Sequence, residues 1–387
     1  MRIYLDSNAG ARLRPAAAHA MAEFFRAESA HGNPASIHRA GQRARRELER
    51  ARAAVAALIE APPRALVFTS GGTEANNLAV IGAARAASRR RIITSTIEHS
   101  SLLAPVAELE QRGFEIIRVA PDGDGVIDAD AVAEQIDTDT ALVTLGLANA
   151  EVGTIQEVAP IAAAARRCGA CFHLDAAQAA GRIPVVVDRL GCDLMTLSAH
   201  KLGGPPGIGA LYVRPGTILA PLILGGPQET GLRAGTPNLP GAVGFGCAAE
   251  EALRSLDAES RQLDALSRTL LRRLREGIPG LRLNGPMERR LPNTLNLTFP
   301  DVLGETLLMA LDLEGVEVSM GSACAAGAVE PSHVLIAMGR STDAARSSLR
   351  LSLDWSTTAE EVGRAAEIIT RVWRRVAACE PRHEVRP

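Results

Sequence analysis

From residue 65 to residue 213 the sequence alternates short strand-like runs with longer helix-like runs, and no other feature limits the fold as much. Strand patterns fall at 65–69, 91–95, 114–119, 141–147, 171–175, 193–198 and 208–213. Helical patterns at 74–88, 100–112, 129–136 and 157–168 lie between most of them. Such alternation predicts an α/β fold, a mostly parallel central sheet covered by helices on both faces. Helical patterns at 15–28 and 38–59 precede it, and a long one at about 237–276 follows. Beyond that the pattern shortens, with strands near 281–284, 294–299 and 316–320 and helices near 304–312 and 358–378. The predicted division is a large domain at 15–258 and a smaller α+β domain built from 1–14 and 259–387.

The bulk numbers narrow the function classes. A chain of 387 residues, 47% hydrophobic and 22% charged, can bury a large core. A net charge of −2 gives no strong field toward nucleic acid or anionic lipid. No apolar run approaches the roughly 18 residues of a membrane helix. The start, Met1-Arg-Ile-Tyr-Leu-Asp6, lacks the basic-then-apolar pattern of a secretory signal. Six cysteines scattered over this length do not form a disulfide framework. A cytoplasmic protein with reduced thiols is expected, with no nucleic-acid or membrane partner.

Of 42 lysines plus arginines, Lys201 is the only lysine. A lysine kept where arginine serves everywhere else points to chemistry arginine cannot do. A guanidinium stays protonated and is a poor nucleophile. A desolvated amine, or one near another cation, can lose its proton and form a Schiff base with an aldehyde. Lys201 ends the strand pattern at 193–198 and precedes a Gly/Pro loop, and ligands bind at strand ends in open α/β sheets.

Two further strand ends carry matching groups. Ser70-Gly-Gly72-Thr73 follows one strand and opens a helix. Its glycines allow close backbone approach, Thr73 is placed to cap the helix, and the free amides there suit a phosphate. His173-Leu-Asp175-Ala-Ala-Gln178 ends another strand. A carboxylate there can pair with a pyridinium nitrogen, as pyridoxal phosphate requires, and Gln178 can reach the ring hydroxyl. Ser198 and His200 can complete the phosphate cradle, as can the turn from Gly231 to Thr236. His99, after a third strand, can stack on the ring and move protons near neutral pH. Each signal alone is weak, and their order along successive strand ends makes the case.

Cys324 lies among small residues in Gly321-Ser-Ala-Cys324-Ala-Ala-Gly, which reads as an accessible loop suited to a reactive thiol. Cys168-Gly-Ala-Cys171 has no second such pair, so no metal site is expected.

These segments resemble those of the cysteine desulfurases, fold-type I pyridoxal-phosphate enzymes of the class V aminotransferase type. The similarity runs from Ile3-Tyr-Leu-Asp6 through Gly32-Asn33-Pro-Ala-Ser36, Phe68-Thr-Ser-Gly-Gly-Thr-Glu74, Glu98-His99 and His173 to Gln178. It continues in Ser198-Ala-His-Lys201, Arg233-Ala-Gly-Thr236, Gly321-Ser-Ala-Cys324 and Ser347-Ser-Leu-Arg350. The spacing around Cys324 looks like the nitrogen-fixation and housekeeping branch. The resemblance implies a homodimer in which Thr236 reaches the phosphate of the other subunit's cofactor. It implies that Arg350 and Asn33 bind the substrate L-cysteine. It also implies that Lys201 removes the Cα proton, that His99 moves protons at the thiol, and that Cys324 takes the sulfur as a persulfide for an acceptor or scaffold protein. Selenocysteine lyase, another class V enzyme and a non-catalytic partner protein are the competing readings. The chain departs from the family pattern at Ala150, where asparagine is usual, and in the stretch Asp6-Ser-Asn-Ala-Gly-Ala-Arg12, where Ala-Thr-Thr is typical. It departs too at Pro227, which interrupts a glycine run, and at Asp354, where glycine is usual.

Overall fold

The computed structural model describes residues 2–27, 31–321 and 330–379. In chain order the elements begin with β1 (Ile3–Tyr4), α1 (Pro15–Arg26), α2 (Arg39–Ala57), β2 (Leu66–Thr69), α3 (Gly72–Ala86) and β3 (Arg91–Ser95). They continue with α4 (Ser100–Gln111), β4 (Glu115–Val119), α5 (Ala129–Glu134), β5 (Thr140–Gly146), α6 (Ala159–Cys168), β6 (Cys171–Asp175), α7 (Val187–Leu190), β7 (Leu194–Ser198) and β8 (Gly209–Val213). Then follow α8 (Leu239–Gly277), β9 (Arg282–Asn284), β10 (Thr294–Thr298), α9 (Gly304–Leu313) and β11 (Val316–Glu317). The last are α10 (His333–Ala337), α11 (Thr342–Arg346), β12 (Ser348–Ser352) and α12 (Ala359–Cys379).

Seven strands form the central sheet in the order β2-β8-β7-β6-β5-β3-β4. All pairings are parallel except the two made by β8. The expected α/β fold, a mostly parallel sheet covered by helices, is what the chain adopts. Alternate residues of each strand face opposite layers. Leu66, Phe68, Ala210, Tyr212, Met195 and Leu197 pack with α2 and α8, whereas Val67, Leu211 and Leu194 pack with α3 and α4. The strand β12, which the sequence pattern did not single out, pairs antiparallel with β10, and β9 lies on β10's other side.

A second apolar core forms around this small sheet from Ile3, Leu5, Leu297, Leu351, the α12 residues Ile369 and Val372, and the second half of α8. The first half of α8 buries Ala242, Phe245 and Ala249 in the large core, so one helix serves both. Among the described residues, no helix is long and apolar enough to cross a membrane, and the cysteines 168, 171, 192, 247 and 379 are all free.

The geometry of the site depends on one close approach. Gly209, the first residue of β8, pairs with both Thr69 and Ser198. It thereby draws the turn after β2 against the turn after β7. A Cβ at Gly209 would lie 2.6 Å from the carbonyl carbon of Gly71 and 2.7 Å from Leu197 O. Backbone on both sides cannot yield cheaply. Gly209→Ala is expected to lower stability by about 1–3 kcal/mol, measured by urea unfolding. Gly123→Ala, where a Cβ would meet nothing within 4 Å, is the control expected to stay within about 0.5 kcal/mol.

Candidate active site

The carboxyl ends of β2, β3, β5, β6 and β7 share one rim of the sheet, and the loops leaving them carry the candidate residues. Lys201 closes the short 3-10 turn Ala199–Lys201 after β7. Its Nζ donates to Asn8 O at 2.6 Å and Ala9 O at 3.0 Å. Burial, reinforced by the guanidiniums of Arg182 and Arg350, lowers its pKa to about 8, against the opposing pull of Asp175 and Asp6. About one amine in ten is then neutral at pH 7, against about one in a few thousand at the ordinary lysine value.

Arg182 is a residue the sequence reading missed. It is buried and donates to Gln178 O at 3.0 Å, to Lys201 O at 3.1 Å and to Gln178 Oε1. Burial, with Arg350 nearby, lowers its own pKa to about 10. Gln178 is occupied at both ends, since its Nε2 donates to Asn8 O at 3.0 Å. Asn8 O therefore serves both the amine and the amide.

The phosphate turn differs locally from expectation. Helix α3 starts at Gly72 with Gly71 as its cap residue, and Thr73 makes no side-chain cap. Two glycines leave the first amides uncovered, so a side-chain cap there would block the approach that the turn permits. Ser198 lies directly across, 3.4 Å from where a Gly72 Cβ would sit, and its Oγ is 3.1 Å from His200 Nδ1. Burial, with Lys201 and Arg182 nearby, lowers the His200 pKa to about 4, so it stands neutral beside an anion site.

Asp175 ends β6. Its Oδ1 accepts from Ala177 N at 2.9 Å, and its Oδ2 accepts from Asn76 Nδ2 at 2.7 Å. Asn76, on α3, also donates to Ser101 Oγ at 2.8 Å. Ser101 Oγ lies 2.7 Å from His99 Nδ1, and Ser101 N donates to the same nitrogen at 3.1 Å. His99 caps α4 through that bond. Its pKa is lowered, mainly by burial, while Asp175 pulls the other way. The Asn76 Oδ1 is buried and has no partner among the described residues. Such an acceptor costs about 1–3 kcal/mol. Flipping the amide would aim oxygen at the Asp175 carboxyl. The out-of-place polar residue on the apolar Ala75-Leu78-Ala79 face of α3 was the available signal for it.

Arg350 comes from β12, in the small sheet. Its Nη2 pairs with Asp6 Oδ1 at 2.7 Å and its Nη1 donates to Ala150 O at 3.2 Å. Asn149 follows β5, where its Oδ1 accepts from Glu151 N and Val152 N and its Nδ2 donates to Ile97 O. Glu151, buried and with its pKa raised by desolvation, accepts from Ser332 Oγ. A Cβ on Gly321 would lie 2.7 Å from its Oε2. Both flanks of the Cys324 segment therefore reach this rim, while Cys324 itself lies outside the described residues.

Lys201, Asp175, His99, Gly72, Thr73, Gln178, Ser198, His200 and Arg350 thus belong to one neighbourhood. Asn33 and Thr236 do not join it within one chain. Asn33 is exposed between α1 and α2, and its Oδ1 accepts only from Ala35 N, 2.9 Å away. Thr236 is exposed and lines a separate hollow with Ser70, Glu229 and Arg233. The neighbourhood suits an aldehyde-bearing, phosphorylated pyridine: an amine of lowered pKa, a strand-end carboxyl, an imidazole and an uncapped helix start.

The chain is similar over nearly its whole length to proteins of one family. The aminotransferase class-V family model matches residues 3–364. A cysteine desulfurase IscS of Dictyoglomus turgidum is 42% identical over 381 residues, covering 98% of this chain and 96% of its own. A solved NifS-like protein superposes with a TM-score of 0.90 at 36% identity, covering 97% of this chain and all of its own. A structure of SspA in complex with cysteine gives 0.80 at 34% identity, covering 91% of this chain and 98% of its own.

If Arg182 depresses the Lys201 amine, uptake of pyridoxal phosphate by the apoprotein should quicken as pH rises and level off above about 8. Arg182→Gln should move that rise upward by about one pH unit, read from the absorbance change at a series of pH values. An unmoved midpoint would remove Arg182 from the explanation.

Proposed function

The chain belongs to the cysteine desulfurases of the aminotransferase class-V family, and from that premise we propose that it takes sulfur from L-cysteine with pyridoxal phosphate. The observation that carries the proposal is the sole lysine, half-buried at the strand-end rim with its pKa lowered and Asp175 close enough to act on it. In this reading Lys201 would hold the cofactor's aldehyde carbon and Asp175 its ring nitrogen. His99 would lie beside the ring. Gly72, Thr73, Ser198 and His200 would hold the phosphate, with Thr236 of a second copy, in a homodimer. Gln178 would exchange Asn8 O for the ring hydroxyl. Bound there, pyridoxal phosphate supplies an electron sink that acidifies the substrate's Cα.

The chain's own groups do the rest. Arg350 exchanges Asp6 for the substrate carboxylate, a task its planar fork suits. Asn33 is the second substrate contact in this reading. Lys201 Nζ accepts the Cα proton and later returns one to the carbon skeleton. The Cys324 thiolate attacks the substrate sulfur: an S–S bond forms, the C–S bond breaks, and alanine leaves. The persulfide is passed to an acceptor or scaffold protein in the cytoplasm. The two apolar cores support a domain division at 258/259, within α8, with Arg350 and Cys324 on the small domain.

Purified protein given pyridoxal phosphate and L-cysteine should release equal amounts of alanine and, with thiol reductant, sulfide. Lys201→Ala should lose at least about a thousandfold in rate. Cys324→Ser should keep the cofactor's colour and lose sulfide release. A coloured wild-type protein that makes no alanine from L-cysteine would overturn the proposal.

A further inference from the structure

The bonds between Asp175 and His99 have a fixed direction. Ser101 N–H can only donate, and it points at His99 Nδ1, so that nitrogen carries a lone pair. At the other end the Asp175 carboxyl takes one Asn76 Nδ2 proton, and Ser101 Oγ takes the second. With its lone pair engaged, the Ser101 hydroxyl directs its own proton to His99 Nδ1. The ring's proton is left on Nε2, which has no hydrogen-bond partner among the described residues. The unpartnered, buried Asn76 Oδ1 is the second sign that this direction is built in. The amide gives up its acceptor in order to present both donors.

We propose that Asn76 and Ser101 are positioning residues that hold His99 as the neutral Nε2–H tautomer, so that the ring meets the substrate as a hydrogen-bond donor rather than a base. This deepens the desulfurase reading and rests on it for the identity of the substrate. Nε2 cannot act as a base until its proton is moved to Nδ1, and a proton on Nδ1 opposes both donors that nitrogen accepts from. A neutral Nε2–H donor can hold the lone pair of the substrate sulfur but cannot take its proton, so the thiol is attacked without prior deprotonation by His99. The charged and titratable groups facing the ring are Asp175 from β6, Lys201 after β7 and His333 from α10. Glu98, the preceding residue, accepts from His333 through its carbonyl. Asp175 favours a charged ring, while Lys201 and His333 oppose it together with the relay.

The test uses full-length protein with ring-15N histidine, with and without pyridoxal phosphate, and His99→Gln assigns one signal among 8 histidines. Wild type should show an unprotonated Nδ1 and a protonated Nε2 between pH 6 and 8. Ser101→Ala and Asn76→Ala should give mixed tautomers, a His99 titration at higher pH, and a matching upward move of the acid limb of kcat/KM. In both variants kcat should fall about tenfold or more, and Ser101→Thr should restore the wild-type spectrum. Thermal melting checks folding, and Ser101→Ala alone decides the matter if Asn76→Ala does not fold. A protonated Nδ1 in wild type, or unchanged ring shifts and acid limb in a folded Ser101→Ala, would overturn the proposal. The spectra need no turnover. A protein that makes no alanine but shows this tautomer fails the desulfurase reading alone.

Discussion

An amine that must lose its proton inside a protein needs cations around it and little water, and the rest of this site is arranged to supply both. Lys201 has Arg182 behind it and Arg350 across from it, with burial as the largest effect. Two buried guanidiniums near an ammonium would be costly if all three kept their charge and lacked partners. Arg182 is relieved by carbonyls of Ser7, Gln178 and Lys201, and Arg350 by Asp6 and Ala150 O. The amine, as the group most easily deprotonated, is the one that yields. Arginine at 201 could not yield in this way, which gives the single lysine of the sequence its physical reason.

The same groups tie the two cores together. The segment from Asp6 to Ala9 lends its carbonyls to Lys201 and Gln178 and its side chains to the small sheet. Ser7 N donates to Ser352 O, and Asn8 donates to Thr294 and accepts from Asn293. A shift of the small core relative to the large one would therefore move both the carbonyls that hold the amine and the guanidinium opposite it. Other buried polar groups hold the rim from beneath. Glu98, with its pKa raised to about 7 by desolvation, joins Ser95 to Gly146 N and so ties the ends of β3 and β5. His173 bridges Thr144 and Thr196 across β5, β6 and β7. Satisfied polar layers of this kind fix register in a sheet that is otherwise apolar.

How far the sequence could be read follows from what each feature depends on. The central strands were legible because short, largely apolar runs and their helical separators are local. Lys201, Asp175 and the Gly71-Gly72 turn were legible because strand ends converge in any parallel sheet. Strand β12 escaped because both of its faces are buried although every second residue of Ser348-Leu-Arg-Leu-Ser352 is polar, and the partner of its charged Arg350, Asp6, is at the far end of the chain. Arg182 and Asn76 escaped because their worth lies in what they touch. Asn76 sits 99 residues from its carboxyl partner, and nothing in its own segment announces that partner. Thr73 was misassigned as a cap because the residue type is common there, although two preceding glycines allow the helix to start earlier.

Ala150 shows how a departure from the family pattern can be met by the backbone. Its carbonyl accepts from Arg350 Nη1 and from Asn8 Nδ2, so the chain at this position still orients the guanidinium, though the methyl side chain bonds nothing. What is absent is a carboxamide facing the substrate. In the proposed reaction, recognition of the substrate carboxylate then concentrates on Arg350, whose Nε is buried without a partner among the described residues. The guanidinium is already paired with Asp6, so in that reading the entering acid must displace the Asp6 carboxylate. That exchange is favoured when the entering carboxylate engages Nε as well, a bond that Asp6, held at Nη2, does not make.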